Sequence, residues 1–255
     1  RVISQENSAD IYQAAKDSDY YIGAVHEDEP ANGEELVNIL LNKGDRNIGL
    51  IGWEQGDATW LGRWEGYKAG VDKWNEEHPD DQAKLSEPQY AGTTSEGGSK
   101  AAEALMAADP NLDALIPAGG GGDPLQGAIA AVERAGKTAD IDVVSTDFLP
   151  DLGDRLENGS MAGESGGHFC DPLIAFMMVY NAVKGNYKDF GGKFEDVPYL
   201  YVSSADDYKN YEKYFVDQLP YTDQELVDMS KLSLEDLRIT AQSVSIEDAA
   251  ARAGK

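Results

Sequence analysis

The sequence predicts an α/β fold in which parallel strands are covered by helices. Short apolar runs alternate with amphipathic stretches along most of the chain, the βαβ pattern of a parallel sheet. Most of the amphipathic stretches stop at a Gly or Pro, as helix termini require. A hydrophobic content of 41% supplies enough apolar side chains for a real interior.

Strands are expected at Val2–Ser4, Tyr20–Val25, Asn47–Gly52, Lys84–Tyr90, Ala114–Pro117, Asp142–Thr146 and Ser160–Gly163. Between them, Gly33–Lys43 carries Leu36, Val37, Leu40 and Leu41 on one face and stops at Gly44. Thr59–His78 ends at Pro79, Ser95–Asp109 at Pro110, and Asp123–Ala135 at Gly136. Leu173–Val183 has the fullest set of signals. Asp171 caps it, Pro172 takes the first turn where no N–H bond is lost, and Gly185 closes it. Residues 222–255 space Leu226, Met229, Leu232, Leu234 and Leu237 like a helix, either a docked appendage or a partly mobile tail. The chain opens on Arg1-Val2-Ile3-Ser4, inside an element and without an initiator Met, so processing, truncation or a fragment is expected.

With 47 acidic against 21 basic residues the net charge is −26. That excludes a nucleic-acid binder working through a general basic surface and argues against docking on anionic lipid. The lone Cys170 excludes an internal disulfide framework and any Cys-cluster metal site. No apolar run approaches the roughly 20 residues of a membrane helix. The length allows one large domain or two lobes. The run Gly119-Gly120-Gly121-Gly122 lacks the Lys-Ser/Thr of a P-loop and the spacing of a dinucleotide fold. Its expected role is a turn that brings backbone N–H groups close to a ligand, or a plain loop.

Three segments together resemble the type I periplasmic-binding-protein family, in particular its ribose- and galactose-type sugar-binding members. They are Ile48-Gly49-Leu50-Ile51-Gly52 with Arg63-Trp64-Glu65-Gly66-Tyr67; Asp113-Ala114-Leu115-Ile116-Pro117 with Gly127-Ala128-Ile129 and Arg134-Ala135-Gly136; and Ile141 to Asp147 with Leu156-Glu157-Asn158-Gly159. The resemblance covers roughly residues 1 to 205. It implies two Rossmann-like lobes with parallel sheets joined by hinge crossings, and a ligand held between the strand carboxyl ends of both. Val2–Glu6 looks like the family's fourth strand, which leaves the first lobe incomplete by three βα units, on the order of 90 residues. The expected division is 1–28 as a partial N-terminal lobe and 29–165 as the C-terminal lobe. A helix at 166–190 returns to the first lobe, 191–221 holds a return strand and hinge-proximal segment, and 222–255 is a helical tail.

By resemblance, the family's ligand-binding Arg matches Arg63 and its Asp after the late strand matches Asp147. Glu6 and Asn7 match a polar contact at the end of the first strand. The departures are His26-Glu27-Asp28-Glu29 at the first crossing, Gly119 and its neighbours where an Asn is common, and Glu164-Ser165-Gly166-Gly167-His168 where a Gln is usual. His168 is expected to stand in for that Gln, with His26 near it. Paired hydrogen bonds from guanidinium and carboxylate to adjacent hydroxyls suit a sugar, and an aromatic ring suits its C–H face.

Each candidate has a plainer alternative. Arg63 could instead form an ion pair with Glu65 or Asp57, and Asp147 could cap the turn before Phe148-Leu149-Pro150. Of the four Trp, Trp53 or Trp60 is the expected ligand-facing ring, while Trp64 and Trp74 are packing. His26 and His168 lack a firm third ligand, so no metal is expected. His78 reads as structural and Cys170 as a bystander.

No G-x-S-x-G elbow and no HExxH motif is present, so neither catalysis nor a cofactor is expected. The function these readings imply is an extracytoplasmic solute-binding protein of an ABC importer, in the periplasm or as a cell-surface lipoprotein. It would act as a monomer on a monosaccharide or polyol, with an ABC permease as partner and no nucleic acid. The alternative is the effector domain of a lac-repressor-like regulator, which the acidic surface and the long tail after Tyr208 disfavour.

Overall fold

A computed structural model of the chain describes residues 18, 20–119, 123–167, 171–187 and 194–254. The expected strand Val2–Ser4 and the candidates Glu6, Asn7, His168 and Cys170 lie outside the described residues, as do 120–122 of the glycine run. The chain divides into two compact units. The first comprises Arg1–Asp28, Gly167–Leu200 and Asn210–Lys255, and the second Glu29–Gly166 and Tyr201–Lys209.

The second unit is a parallel sheet wrapped by helices. Its strands are β2 (Asn47–Gly52), β3 (Lys84–Leu85), β4 (Gln89–Tyr90), β5 (Ala114–Pro117), β6 (Asp142–Thr146), β7 (Gly163–Gly166) and β9 (Leu200–Val202). They run in the order β3-β2-β5-β6-β7-β9, with β4 also on β2. The register sets Ile48 beside Ala114 and Val144 beside Gly163. Helices α1 (Glu29–Lys43), α2 (Ala58–Glu77), α3 (Ser95–Ala108), α4 (Asp123–Arg134) and α5 (Leu152–Asn158) complete the βα alternation. Leu36, Leu40, Ile48, Leu50, Trp60, Tyr67, Ile116 and Val144 share one buried core. Each such side chain stabilises the fold by about 1.5–3 kcal/mol.

Strands β2, β5 and β6 match their sequence expectation residue for residue, while others moved for identifiable reasons. The expected strand Lys84–Tyr90 is broken around Pro88, which has no N–H to give to the ladder. The hydroxyl of Ser86 bridges the break by accepting the Leu50 N–H at 3.0 Å. The expected strand Ser160–Gly163 slides to Gly163–Gly166, so the fully buried Glu164 and Ser165 sit inside it, where an apolar pattern would not place them. Helix α1 begins at Glu29 rather than Gly33. Pro30 is tolerated in a first turn, and Gly33 serves helix packing instead of a boundary, since a Cβ there would lie 2.1 Å from the Arg63 carbonyl oxygen. Helix α5, closed by Gly159 at φ 78°, was not anticipated.

In the first unit, β1 (Ala24–Glu27) pairs in parallel with β8 (Phe194–Val197). The expected strand Tyr20–Val25 is shifted toward β1 because Tyr20 stands in a turn, 91% exposed. Helix α6 (Asp171–Val183) packs on β1. Helix α7 (Ala205–Tyr211), mostly in the second unit, runs into a wider turn at Glu212–Val216. The tail folds into α8 (Asp223–Met229), α9 (Leu234–Gln242) and α10 (Ile246–Ala253), each opened by a hydroxyl cap from Thr222, Ser233 or Ser245. It is docked on its own unit. Asn181 Nδ2 donates to the Met229 carbonyl at 2.9 Å, and Arg252 pairs with Glu225 and Asp248 over the Tyr221 ring.

Candidate functional site

Parallel strands bring their carboxyl ends to one edge of a sheet, where open α/β folds bind ligands. In the second unit that edge is formed by the segments leaving β2, β4, β5 and β6. After β2 come Trp53 to Asp57, fixed at both ends: the Trp53 carbonyl accepts the Gly92 N–H at 2.8 Å, and Asp57 caps α2 by accepting the Trp60 N–H at 2.8 Å. With Thr93 these residues line a depression of about 400 Å³. After β5 comes Gly119, where a Cβ would lie 1.8 Å from the Thr146 carbonyl oxygen, so only glycine fits against β6.

After β6 comes Asp147. It is the single non-glycine among the described residues in the left-handed region, at φ 75°. Holding a side chain there costs about 1–2 kcal/mol, and such strain tends to persist where function needs it. Its N–H donates to the Ser165 carbonyl at 2.7 Å. Behind it the Thr146 hydroxyl is tied to Asn32 Nδ2 and to Ser165 Oγ, each at 3.1 Å.

Arg63 projects from α2 and is 3% exposed. Its Nε donates to Glu29 Oε2 at 2.6 Å and its Nη2 to Glu29 Oε1 at 3.4 Å, a forked pair. The guanidinium carbon also stands 5.2 Å from the centre of the Trp53 ring. Among the described residues its carboxylate partner is Glu29 rather than Glu65 or Asp57, and it comes from the opposite helix. No pattern in the sequence ties positions 29 and 63; the pair becomes visible only once α1 lies against α2.

The two aromatic candidates separate. Trp53 is half-buried on the depression, whereas Trp60 has no exposed surface and packs edge-on to Tyr67 at 5.8 Å, over Gly52. Trp60 belongs to the core, because the helix turn after the Asp57 cap aims it inward. Trp60→Ala should lower unfolding stability by about 3–5 kcal/mol. In calorimetry Trp53→Ala should cost clearly less; equal melting of the two variants would contradict the assignment.

His26 is the third residue of β1 in the first unit, its Nδ1 3.0 Å from the Glu27 carbonyl oxygen. Among the described residues no group of three or more His, Cys, Asp or Glu is arranged to hold a metal. No helix among them is long and apolar enough to cross a membrane.

A family model described as a periplasmic binding protein domain matches residues 4–185, well over half of the chain. The chain belongs to this family. Comparison with curated proteins gave no match. Among solved structures, a glucose-galactose binding protein from Geobacillus stearothermophilus superposes with a TM-score of 0.62 at 16% identity, over 74% of this chain and 64% of that one. An ABC transporter periplasmic solute binding protein from Actinobacillus succinogenes 130z, with bound D-allose, gives 0.62 at 18%, over 73% and 62%. The periplasmic binding component of the arabinose ABC transporter from Shewanella sp. ANA-3, bound to α- and β-L-arabinofuranose, gives 0.60 at 20%, over 83% and 66%. At these identities the likeness is one of fold, and the chain spans less than two thirds of the length of each. Membership in the periplasmic binding protein family accounts for the open parallel sheet of the second unit and for the helices on it.

Proposed function

We propose that this chain binds a monosaccharide or related polyol outside the cytoplasm, as the solute-binding component of an ABC importer, without chemical turnover. The observation that carries the reading is Asp147, a carboxylate held at the strand edge in a costly backbone conformation. A carboxylate fixed in this way accepts hydrogen bonds from neighbouring hydroxyls, and Trp53 offers a ring face on the same sheet edge. Arg63 supplies a cation whose orientation Glu29 fixes. Family membership supports the same reading, as do the sugar-bound relatives of the fold. The chain passes between its units at 28–29, 166–167, 200–201 and 209–210. We include in the proposal that ligand binding is coupled to hinge movement at these crossings.

A thermal-shift screen with D-allose, D-fucose, D-galactose, L-arabinose and simple polyols tests it, because a ligand that binds the folded state raises Tm by mass action. At least one should raise Tm. Asp147→Asn keeps a residue that tolerates the left-handed region, and should weaken affinity at least about tenfold. Arg63→Ala should weaken it as much, read on the folded fraction because the ion pair with Glu29 is lost. A ligand-induced shift that survives both substitutions unchanged would refute the site, and a screen in which only another ligand class shifts Tm would refute the sugar.

A further inference from the structure

Glu164 lies inside β7 with no exposed surface. Its Oε2 accepts the Leu149 N–H at 2.7 Å, while Oε1 has no hydrogen-bond partner among the described residues. The next residue, Ser165, holds the N–H of Asp147 through its carbonyl. Two consecutive residues of one strand thus fasten both ends of the turn 147–149, and Phe148 between them rests on Gly166, where a Cβ would come within 2.9 Å of its ring. An apolar side chain would occupy such an interior at lower cost than a carboxyl, so the carboxyl calls for a role.

We propose that Glu164 is the positioning residue of the Asp147 turn, and that a proton on its buried carboxyl keeps this turn closed for ligand, making affinity pH-dependent. The role rests on Asp147 being a ligand contact. The charged groups that act on Glu164 are Asp147 and Asp151 on the loop and Arg155 on α5. Strand β6 sets the uncharged Ser145 beside it, α1 meets β7 through Ile39 against Gly163, and β9 on the other side contributes Tyr201 as its titratable residue. Burial is the main force raising the carboxyl to about 8. The Leu149 N–H opposes it, Asp147 adds to it, and Arg155 and Asp151 act in opposite directions with smaller effect. Once ionised, a carboxylate in this dry position gains hydration only by loosening the turn that covers it. At pH 9 about a tenth of the molecules keep the proton, so apparent affinity should fall about tenfold from its value near pH 7.

The test has two arms. In hydrogen exchange on the ligand-free chain, the Leu149 amide should lose about tenfold in protection between pH 7 and pH 9, after correction for the intrinsic rate. Glu164→Gln keeps a carbonyl for that N–H but does not titrate, and its protection should stay constant. In calorimetric titration with whichever of D-allose, D-fucose, D-galactose or L-arabinose binds, the wild-type Kd should weaken about tenfold over the same range and that of Glu164→Gln should not. Protection that is flat in the wild type, or falls equally in the variant, overturns the positioning role. Falling protection with a pH-independent Kd overturns the link between turn and ligand. Falling protection with no sugar bound supports the positioning role and overturns the sugar reading instead.

Discussion

The second unit should melt at a higher temperature at pH 5 than at pH 8.5, and Glu164→Gln should remove most of the difference. All four Trp lie between positions 53 and 74, so their fluorescence reports this unit alone. Two of its carboxyls are pushed far above the ordinary carboxylate range. Burial moves Glu164 from 4.5 to about 8. Burial, then Asp142 and Asp113, raise Asp45 from 3.8 to about 7, with Lys43 pulling the other way. A carboxyl raised in the folded state contributes stability that is complete below its unfolded value and is lost as pH climbs through the folded one. For Glu164 the loss between pH 5 and pH 8.5 is roughly 3–4 kcal/mol. Asp45 adds in the same direction. The carboxylates held low by ion pairs, such as Asp81 beside Arg46 and Asp109 beside Lys84, lose their contribution only at more acid pH. They do not compete in this window. A Tm that is flat or rises between pH 5 and pH 8.5, or a Glu164→Gln protein with the wild-type slope, would sink the prediction.

Glu164 also marks where sequence reasoning reached its limit. Strands β2 and β5 were legible because each is a largely apolar run of strand length, bounded by turn or helix signals. The strand β7 was not: its interior is Glu164-Ser165, and hydrophobic patterning sees such residues as the end of a strand. What buries them is the neighbouring turn, which no local signal encodes. The same holds at Arg63. The Arg-x-x-Gly-aromatic pattern singled out the residue, but its partner Glu29 stands 34 positions earlier, in a stretch that reads as a crossing between lobes. Asp147 was singled out by the family resemblance, as the Asp after the late strand, while its left-handed backbone has no sequence signature because it is not a glycine. Trp60 shows the converse error. Its place at the opening of a helix made it one of two candidates for the ligand face, yet the cap at Asp57 fixes the helix phase that turns the ring inward.

Gly66→Ala should destabilise the second unit by about 3 kcal/mol or more, although alanine is the better helix former by about 1 kcal/mol. A methyl group at position 66 would lie 2.0 Å from the Pro30 carbonyl oxygen and 2.8 Å from the Glu34 nitrogen, both backbone atoms that no rotamer change can withdraw. The only relief is to move α1 away from α2. Gly33→Ala should act in the same way from the other helix, since its methyl would meet the Arg63 carbonyl at 2.1 Å. One turn further along, Gly70→Ala meets the Val37 Cγ1 at 3.3 Å, a side-chain atom that can give way. That variant should stay within about 1 kcal/mol of the parent. Urea unfolding followed by Trp fluorescence separates these cases, and a Gly66→Ala protein as stable as Gly70→Ala would refute the close contact. Because both tight glycines hold one interface open to the same displacement, Gly33→Ala and Gly66→Ala together should cost less than their sum. The displacement would also draw Glu29 from Arg63, which span this helix pair, so if Arg63 is a ligand contact as proposed, each variant should weaken ligand binding by more than its effect on the folded fraction explains. A double variant that is strictly additive in stability would mean that the two contacts yield independently and that α1 does not move as a body.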